Sequence, residues 1–223
     1  MTAATVTLDD VKAREDVRAY IAKADRNMEL IGYTEHGFRH AEVVATRARK
    51  IMLEVGRSER DAELAAIAGY LHDIGNVASR VTHAGTSVIL AYHILTDMGM
   101  APDDVAEIMA GVGNHEEEYG EPFGDIAAAV IIADKSDVSR TRVRNPAPDT
   151  FDEHDRINYA AISSAIEIDA AQKIITLRLD LDPALGSIME YFERFLTRMV
   201  ASRIAAQELG CQFSIVINGT KLL

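Results

Sequence analysis

The sequence predicts a mainly α-helical fold that ends in a small antiparallel β-sheet with a long helix. In the first two-thirds of the chain, apolar residues recur at three- and four-residue steps, as they do on the buried face of a helix. After a charged stretch with two prolines at 144–155, apolar and polar residues alternate, which is the pattern of strands. With 223 residues, 48% of them hydrophobic, the chain is able to bury a sizeable core.

Successive helices are predicted from apolar stripes and from the residues that begin or end them. A capping box at 58–61 begins one helix, and Gly56 ends the helix before it. Pro102 suits a first helical turn, and Asp103 and Asp104 suit the positive end of that helix. The predicted helices cover about 17–31, 36–55, 58–72, 82–98, 102 onward and 125–138.

The end of the chain predicts the order strand, strand, helix, strand. Two alternating segments at 162–168 and 175–181 flank a polar turn at 169–172. An amphipathic helix over 185–209 ends at Gly210, and a last alternating segment follows it. We therefore predict a helical domain at 1–145 and a β-β-α-β C-terminal appendage at 158–223. The role of the appendage stays open between completing the core, covering a site and forming a homodimer contact.

Composition excludes several classes of partner. The formal charge of −12 repels nucleic acid polymers. The single cysteine, Cys211, excludes an internal disulfide and suits a reducing compartment. No signal-peptide pattern is visible, and the apolar run at 126–133 is far shorter than the ~20 residues of a membrane span. We therefore expect a cytoplasmic protein with no membrane partner.

Several titratable residues lie where the sequence otherwise predicts buried helix. His72 and Asp73 close an apolar run, and Asp134 follows the segment AAAVIIA directly. Burying a lone carboxylate is costly, and a divalent metal would neutralise it. Imidazole with carboxylate is a ligand mix that zinc, manganese and iron accept. Each residue alone also has an ordinary structural interpretation, and Asp134 has Lys135 and Arg140 as alternative partners.

The ordered series H…HD…H…H…D resembles the HD-domain superfamily of metal-dependent phosphohydrolases, in its two-metal subset. The matching elements are HAEVV at 40–44, HDIG at 72–75, HAGTS at 83–87, NHEEE at 114–118 and ADKSDVSR at 133–140. Asn114 stands where the HD-GYP subfamily, which cleaves cyclic dinucleotides, carries a histidine, and this argues against that substrate.

The resemblance implies an HD-domain helical bundle that holds two divalent ions, of manganese, iron, magnesium, zinc or nickel. It implies Asp73 as the bridging ligand and as a catalytic residue. The first ion would be held by His40, His72, Asp73 and Asp134, and the second by Asp73, His83 and His115. A water or hydroxide activated between the ions would attack phosphorus.

A basic stretch at 135–144 follows Asp134 and predicts phosphate binding. We predict that Lys135 serves in both catalysis and substrate binding. Arg140, Arg142 and His36 are predicted to bind the substrate, His36 because it lies one helical turn before His40. The alternative is that the basic residues pair with surface carboxylates.

Three further predictions concern residues outside the ligand series. The acidic run 116–118 is interpreted as a solvated loop rather than as a proton acceptor. His154 is predicted to be solvated, and His93, which is opposite in helical phase to His83, is predicted to be structural.

The leading hypothesis is a phosphohydrolase that acts on a small phosphorylated metabolite or nucleotide. Two alternatives share the same ligand pattern. One is an HD-type oxygenase with a mixed-valent di-iron pair, and the other is a non-catalytic, metal-bearing nucleotide sensor.

Overall fold

The computed structural model describes residues 5–118, 120–145 and 147–222, and it confirms the mainly α-helical prediction. Residues 1–4 and 223, at the outer ends of the two predicted domains, lie outside the described residues. The helices are α1 (Leu8–Ala13), α2 (Glu15–Leu30), α3 (Phe38–Glu54), α4 (Glu59–Leu71), α5 (His83–Asp97), α6 (Pro102–Gly113), α7 (Gly124–Lys135), α8 (Glu153–Ala160) and α9 (Ile188–Glu208). The strands are β1 (Ala161–Asp169), β2 (Ile174–Leu181), β3 (Gln212–Ile217) and β4 (Thr220–Lys221).

Two helices begin at the residues that the local sequence signals predict. The Ser58 side chain accepts from the amide of Asp61 at the start of α4, and α6 begins at Pro102. Two helices were not predicted. The six residues of α1 are too few to show a period. Helix α8 begins in the charged stretch at 144–155, where the Asp152 side chain caps its start.

Two alanine-rich helices, α4 and α7, form the centre of the helical body. Every residue of α7 from Ile126 to Ala133 is buried, as is most of α4. Helices α3, α6 and α7 all pack against α4. Small side chains let these backbones approach closely, so the C-terminal ends of α4 and α7 lie inside the protein. The residues that follow these ends, His72 and Asp73, and the last residues of α7, Asp134 and Lys135, are therefore held in the interior.

The sheet has the order β1-β2-β3-β4 and is mixed. Strands β1 and β2 pair antiparallel, and so do β3 and β4, but β2 and β3 pair parallel. The prediction of a purely antiparallel sheet was therefore wrong. Because α9 carries the chain back along the sheet between β2 and β3, the third strand starts at the same end as the second and has to run parallel to it.

The C-terminal appendage packs against the helical body. Helix α9 lies on α7, and β1 lies beside α3. Arg47 and Lys50 of α3 donate to the carbonyl oxygens of Ser164 and Ile166 on β1, each at 2.6 Å. These bonds satisfy part of an otherwise open sheet edge. The division into two domains stays a prediction.

None of the helices in the described ranges combines the length and apolar composition that crossing a membrane requires.

Gly75 generates a prediction about how the His72-Asp73 pair is held. It lies in a 3₁₀ turn at Ile74–Val77, and its amide donates to the Ser87 hydroxyl of α5 at 2.8 Å. A Cβ at Gly75 would lie 2.2 Å from the carbonyl oxygen of His83. We expect Gly75→Ala to lower the free energy of unfolding by about 3 kcal/mol, because the clash is with backbone.

Gly85, on the exposed side of α5, is the matched control, since no atom lies within 4 Å of its would-be Cβ. Gly85→Ala should leave stability unchanged or raise it by up to about 1 kcal/mol. Urea unfolding followed by circular dichroism measures both variants. Equal midpoints for the two would contradict the close packing at Gly75.

Candidate metal centre and substrate cavity

Four buried histidines from separate parts of the chain come together. His40 begins the buried face of α3, His72 follows α4, His83 begins α5, and His115 follows α6. Each is at most 2% exposed. Successive ring centroids lie 5.1 Å apart for His40 and His72, 4.8 Å for His72 and His115, and 5.0 Å for His115 and His83. The structure thus brings all four predicted imidazole ligands into one cluster.

Hydrogen bonds fix which nitrogen of each imidazole faces the centre. In all four rings Nδ1 donates to an oxygen outside the cluster: Asp137 Oδ2 for His40 at 2.7 Å, Gly69 O for His72 at 2.8 Å, Arg80 O for His83 at 2.7 Å and Val112 O for His115 at 2.7 Å. A neutral ring that donates from Nδ1 keeps its lone pair on Nε2. The Nε2 atoms of His40 and His72 are buried and have no hydrogen-bond partner among the described residues. Such atoms fit a metal ion, which accepts imidazole lone pairs.

His83 and His115 give a second indication of a cation. Their Nε2 atoms lie 3.0 Å apart, and both rings donate from Nδ1. Two lone pairs would therefore face each other unless a proton or a metal ion lay between them. Burial, together with the neighbouring His72, lowers the pKa of His115 to about 4, which disfavours the proton. Arg80 Nη1 reaches Nε2 of His83 at 3.1 Å, and a metal ion beside the two rings would accept the lone pair of His115.

Two carboxylates complete the cluster. Asp73 places Oδ2 3.4 Å from His72 Nε2 and Oδ1 3.3 Å from His83 Nε2, so each of its oxygens faces a different pair of imidazoles. Asp134 places Oδ1 3.2 Å from His40 Nε2. Burial alone would raise the pKa of Asp73, but the adjacent His72 and the surrounding imidazoles outweigh it and hold that pKa well below its usual value. The carboxylate is therefore available as a ligand.

The donor atoms form three overlapping groups that fit metal binding. In each group the atoms lie within 4.8 Å of one another: His40, His72 and Asp134; His72, Asp73 and His115; His83, His115 and Glu116. The donor set is nitrogen and oxygen without sulfur, as suits the divalent ions of the first transition row.

Comparison with known families places this cluster in context. The sequence model of the HD domain matches residues 37–139, from the start of α3 to just beyond α7. The matched segment, called the HD domain hereafter, contains every predicted metal ligand. The chain beyond residue 139 lies outside the match.

One curated relative matches over part of the chain. An uncharacterized protein of Methanocaldococcus jannaschii is 30% identical over 139 residues. The match covers 52% of this chain and 52% of the relative, so the chain spans about half the length of the protein it resembles.

Residues around the candidate metal ligands hold them in place. Asp137 is buried and accepts from His40 Nδ1, and from Arg39 Nη2 at 2.6 Å. Asn76 donates to Asp73 Oδ1 at 2.9 Å. In the sequence, Asp137 is one negative charge within the basic stretch at 135–144. Its position one helical turn after Asp134 was the available signal, because residues three apart share a face.

The acidic run after α6 is part of the centre. Glu116 Oε1 lies 2.8 Å from His83 Nε2, and Glu117 Oε2 lies 2.5 Å from Lys135 Nζ. Burial would raise the pKa of Glu116, but the bond to His83 and the charge of Lys135 lower it to about 2. The favoured interpretation of both glutamates as solvated was wrong. Only Glu118 of this run is exposed.

Lys135 is buried and neutralises the acidic side of the centre. Its ammonium lies 2.8 Å from Asp134 Oδ2 as well as contacting Glu117, and it is 4% exposed. Lys135 is not among the residues that line the cavity described next. Its predicted roles in catalysis and substrate binding stay predictions.

A cavity of about 290 Å³ opens beside the histidine cluster. Its basic and aromatic lining is Tyr33, His36, Arg80, Arg142, His154 and Arg198, and its acidic and amide lining is Asp152, Asp155 and Asn158. The ring of His36 lies 5.5 Å from that of His40. His36 also borders a small gap lined by His40 and Asp73, so the cavity adjoins the candidate metal ligands.

The predicted substrate-binding residues divide into two groups. Arg142 and His36 line the cavity, and Arg142 is anchored by donating to the carbonyl oxygens of Asp137 and Glu35. Arg140 is exposed, lies over the ring of Tyr159 and is not among the lining residues.

The two histidines that were predicted to be neither metal ligands nor substrate contacts are His154 and His93. His154 lines the cavity beside Phe195 and is exposed, which agrees with the prediction that it is solvated. His93 is exposed on α5 beside Tyr92 and takes no part in the cluster.

Asp137 provides a test of ligand orientation. We expect Asp137→Asn to weaken metal binding by about 10- to 100-fold, because the carboxylate fixes the tautomer and raises the basicity of His40. Calorimetric titration with manganese measures the affinity. Asp125→Asn is the matched control, because Asp125 also pairs with an arginine, Arg57, but lies outside the cluster. Equal affinities for the two variants would exclude an orienting role for Asp137.

Proposed function

We propose that the protein is a phosphohydrolase that uses two divalent ions to cleave a phosphoester of a small metabolite or nucleotide. The observation that carries the proposal is the convergence of four Nε2 lone pairs on Asp73 beside a basic cavity. When bound, the ions would supply Lewis acidity at the phosphate and lower the pKa of a water molecule toward neutrality.

The geometry supports a division of the ligands into two sets that share Asp73. His40, His72 and Asp134 lie on the side of Asp73 Oδ2, and His83 and His115 lie on the side of Oδ1. We propose that each set holds one ion and that Asp73 bridges them. Glu116, which contacts His83, is an additional oxygen on the second side.

The cavity wall would bind and orient the phosphate. Arg142 is fixed by two backbone carbonyls, so its charge is positioned before the substrate arrives. Burial, followed by the nearby charge of Arg142, lowers the pKa of His36 well below its usual value, so its ring would enter the site uncharged. We propose that Lys135 contributes by holding Asp134 in its ligating orientation and by balancing the negative charge of Asp134 and Glu117.

Metal analysis followed by a substrate screen tests the function. The protein is purified without chelator, its metals are identified by elemental analysis, and the loaded protein is assayed against phosphomonoesters, nucleotides and cyclic dinucleotides. We expect two ions per chain and release of phosphate from at least one phosphomonoester. Stoichiometric metal without turnover of any compound would refute the proposal.

Two other results would select the alternatives. Two irons with an electron-spin signal after partial reduction, and substrate-dependent consumption of O₂, would indicate the oxygenase. Calorimetric binding of a nucleotide without product after long incubation would indicate the sensor.

Asp73→Ala tests the bridge. We expect this variant to lose both ions and at least about 10³-fold in kcat/KM, because each set is left one ligand short. Asp104→Ala is the control, since Asp104 pairs with Arg60 away from the cluster. Metal content and phosphate release measure the outcome. Two retained ions in Asp73→Ala would show that Asp73 does not bridge.

A further inference from the structure

The cavity beside the metal centre is not enclosed by the HD domain alone. Three of its lining residues, His154, Asp155 and Asn158, belong to α8, and a fourth, Arg198, belongs to α9. All four lie outside the matched HD-domain range of 37–139. The C-terminal segment, residues 147–222, therefore supplies one wall of the cavity.

Arg198 is placed to bind an anion. Its Nε lies 3.5 Å from Glu117 Oε1, while the other oxygen of Glu117 is held by Lys135 at 2.5 Å. The guanidinium packs over the ring of Phe195, 4.4 Å from the ring centroid, which restricts its position. The Arg198 side chain is 23% exposed. It is thus held at the cavity by an aromatic ring and by a carboxylate that is already shared with another cation.

The other two arginines of the cavity, Arg80 and Arg142, are held more firmly by groups of the protein. Arg80 pairs with Glu116 at 3.2 Å, and Arg142 donates to two backbone carbonyls. The planar guanidinium of an arginine matches two phosphate oxygens at once. Arg198 has a longer ion pair than Arg80, at 3.5 Å against 3.2 Å. Arg142 lies 3.8 Å from Asp137 Oδ2, but it is buried and held by its two carbonyl bonds, whereas Arg198 is partly exposed.

The part of the cavity contributed by α8 offers hydrogen-bond acceptors. Asn158 is 4% exposed, and its Nδ2 donates to the carbonyl oxygen of His154 at 2.9 Å. Its Oδ1 has no hydrogen-bond partner among the described residues. Asp152 and Asp155 line the same side. A buried acceptor without a partner is costly, so this wall suits a ligand that brings O–H or N–H donors.

We propose that the C-terminal segment forms the specificity-determining wall of the substrate pocket, in which Arg198 binds the phosphoryl group and Asn158 accepts from a donor on the esterified alcohol. The inference rests on the proposed phosphohydrolase function and names its substrate class: a phosphomonoester whose alcohol part carries O–H or N–H donors. A volume of about 290 Å³ is near the lower end for ligand clefts and suits one small organic phosphate.

Phosphate binding tests the role of Arg198 without requiring turnover. Inorganic phosphate is titrated calorimetrically into the manganese-loaded protein. We expect Arg198→Ala to raise Kd at least tenfold with unchanged metal content, and Arg198→Lys to recover part of the loss. Arg194→Ala is the matched control, because Arg194 lies one turn earlier on α9, pairs with Glu153 and does not line this cavity. Arg198→Ala with wild-type affinity would overturn the proposal.

A substrate comparison tests the acceptor wall. Ribose 5-phosphate carries hydroxyl donors, whereas the alcohol part of 4-nitrophenyl phosphate carries none. We expect Asn158→Leu to lower the kcat/KM for ribose 5-phosphate, relative to that for 4-nitrophenyl phosphate, about tenfold. If neither compound is turned over, the same ratio is measured from Kd values. An unchanged ratio would overturn the assignment of Asn158.

The outcomes separate this inference from the proposed function. If phosphate binding depends on Arg198 but the protein has no hydrolytic activity, the proposed phosphohydrolase function is refuted and the anion site at Arg198 is supported. Hydrolysis by the wild-type protein with no effect of Arg198→Ala or Asn158→Leu refutes the wall alone.

Discussion

The centre of this protein depends on the hydrogen bonds that Nδ1 of four buried histidines makes to oxygens outside the cluster. Three of the acceptors are backbone carbonyls located three residues earlier in the chain, so the turn that carries each histidine also orients its ring. The fourth acceptor is the Asp137 carboxylate, which arrives from the far end of the HD domain. Because every Nδ1 donates to an oxygen outside the cluster, the Nε2 lone pairs face the inside of the cluster. Their number and closeness are what a divalent cation would satisfy.

Charge balance shapes the surroundings of this centre. The partly buried acids Asp134 and Glu117 share the ammonium of Lys135, and the buried Asp137 is shared by Arg39 and His40. Each buried anion thus has a fixed cationic or hydrogen-bonding partner, as burial of charge requires. Asp73 differs because its neighbours within the cluster are imidazoles, apart from the amide of Asn76. Asp73 is thus the carboxylate whose two oxygens face the Nε2 atoms of the cluster.

The cavity joins the HD domain to the remainder of the chain. His36 and Arg80 reach it from the body, and α8 and α9 close it from the other side. The three roles left open for the C-terminal appendage are therefore not equivalent. The packing of α9 on α7 and the position of Arg198 both favour a part in forming the site. An HD domain that is shared by many proteins would in this way acquire its substrate preference from a segment outside the family pattern.

The sequence by itself determined the helical body and predicted the candidate ligands. The helices are local patterns of period 3.6, and His40, His72, Asp73, His83, His115 and Asp134 are ordered elements of a known family. Tertiary structure decided what local patterns do not encode. The parallel pairing of β2 with β3 follows from the crossover by α9, and Glu116 is drawn to His83 by packing between α5 and the end of α6. Arg198 lies more than fifty residues beyond the family match, so only the packing of α9 on α7 brings it to the cavity, because side chains distant in sequence meet only through the fold.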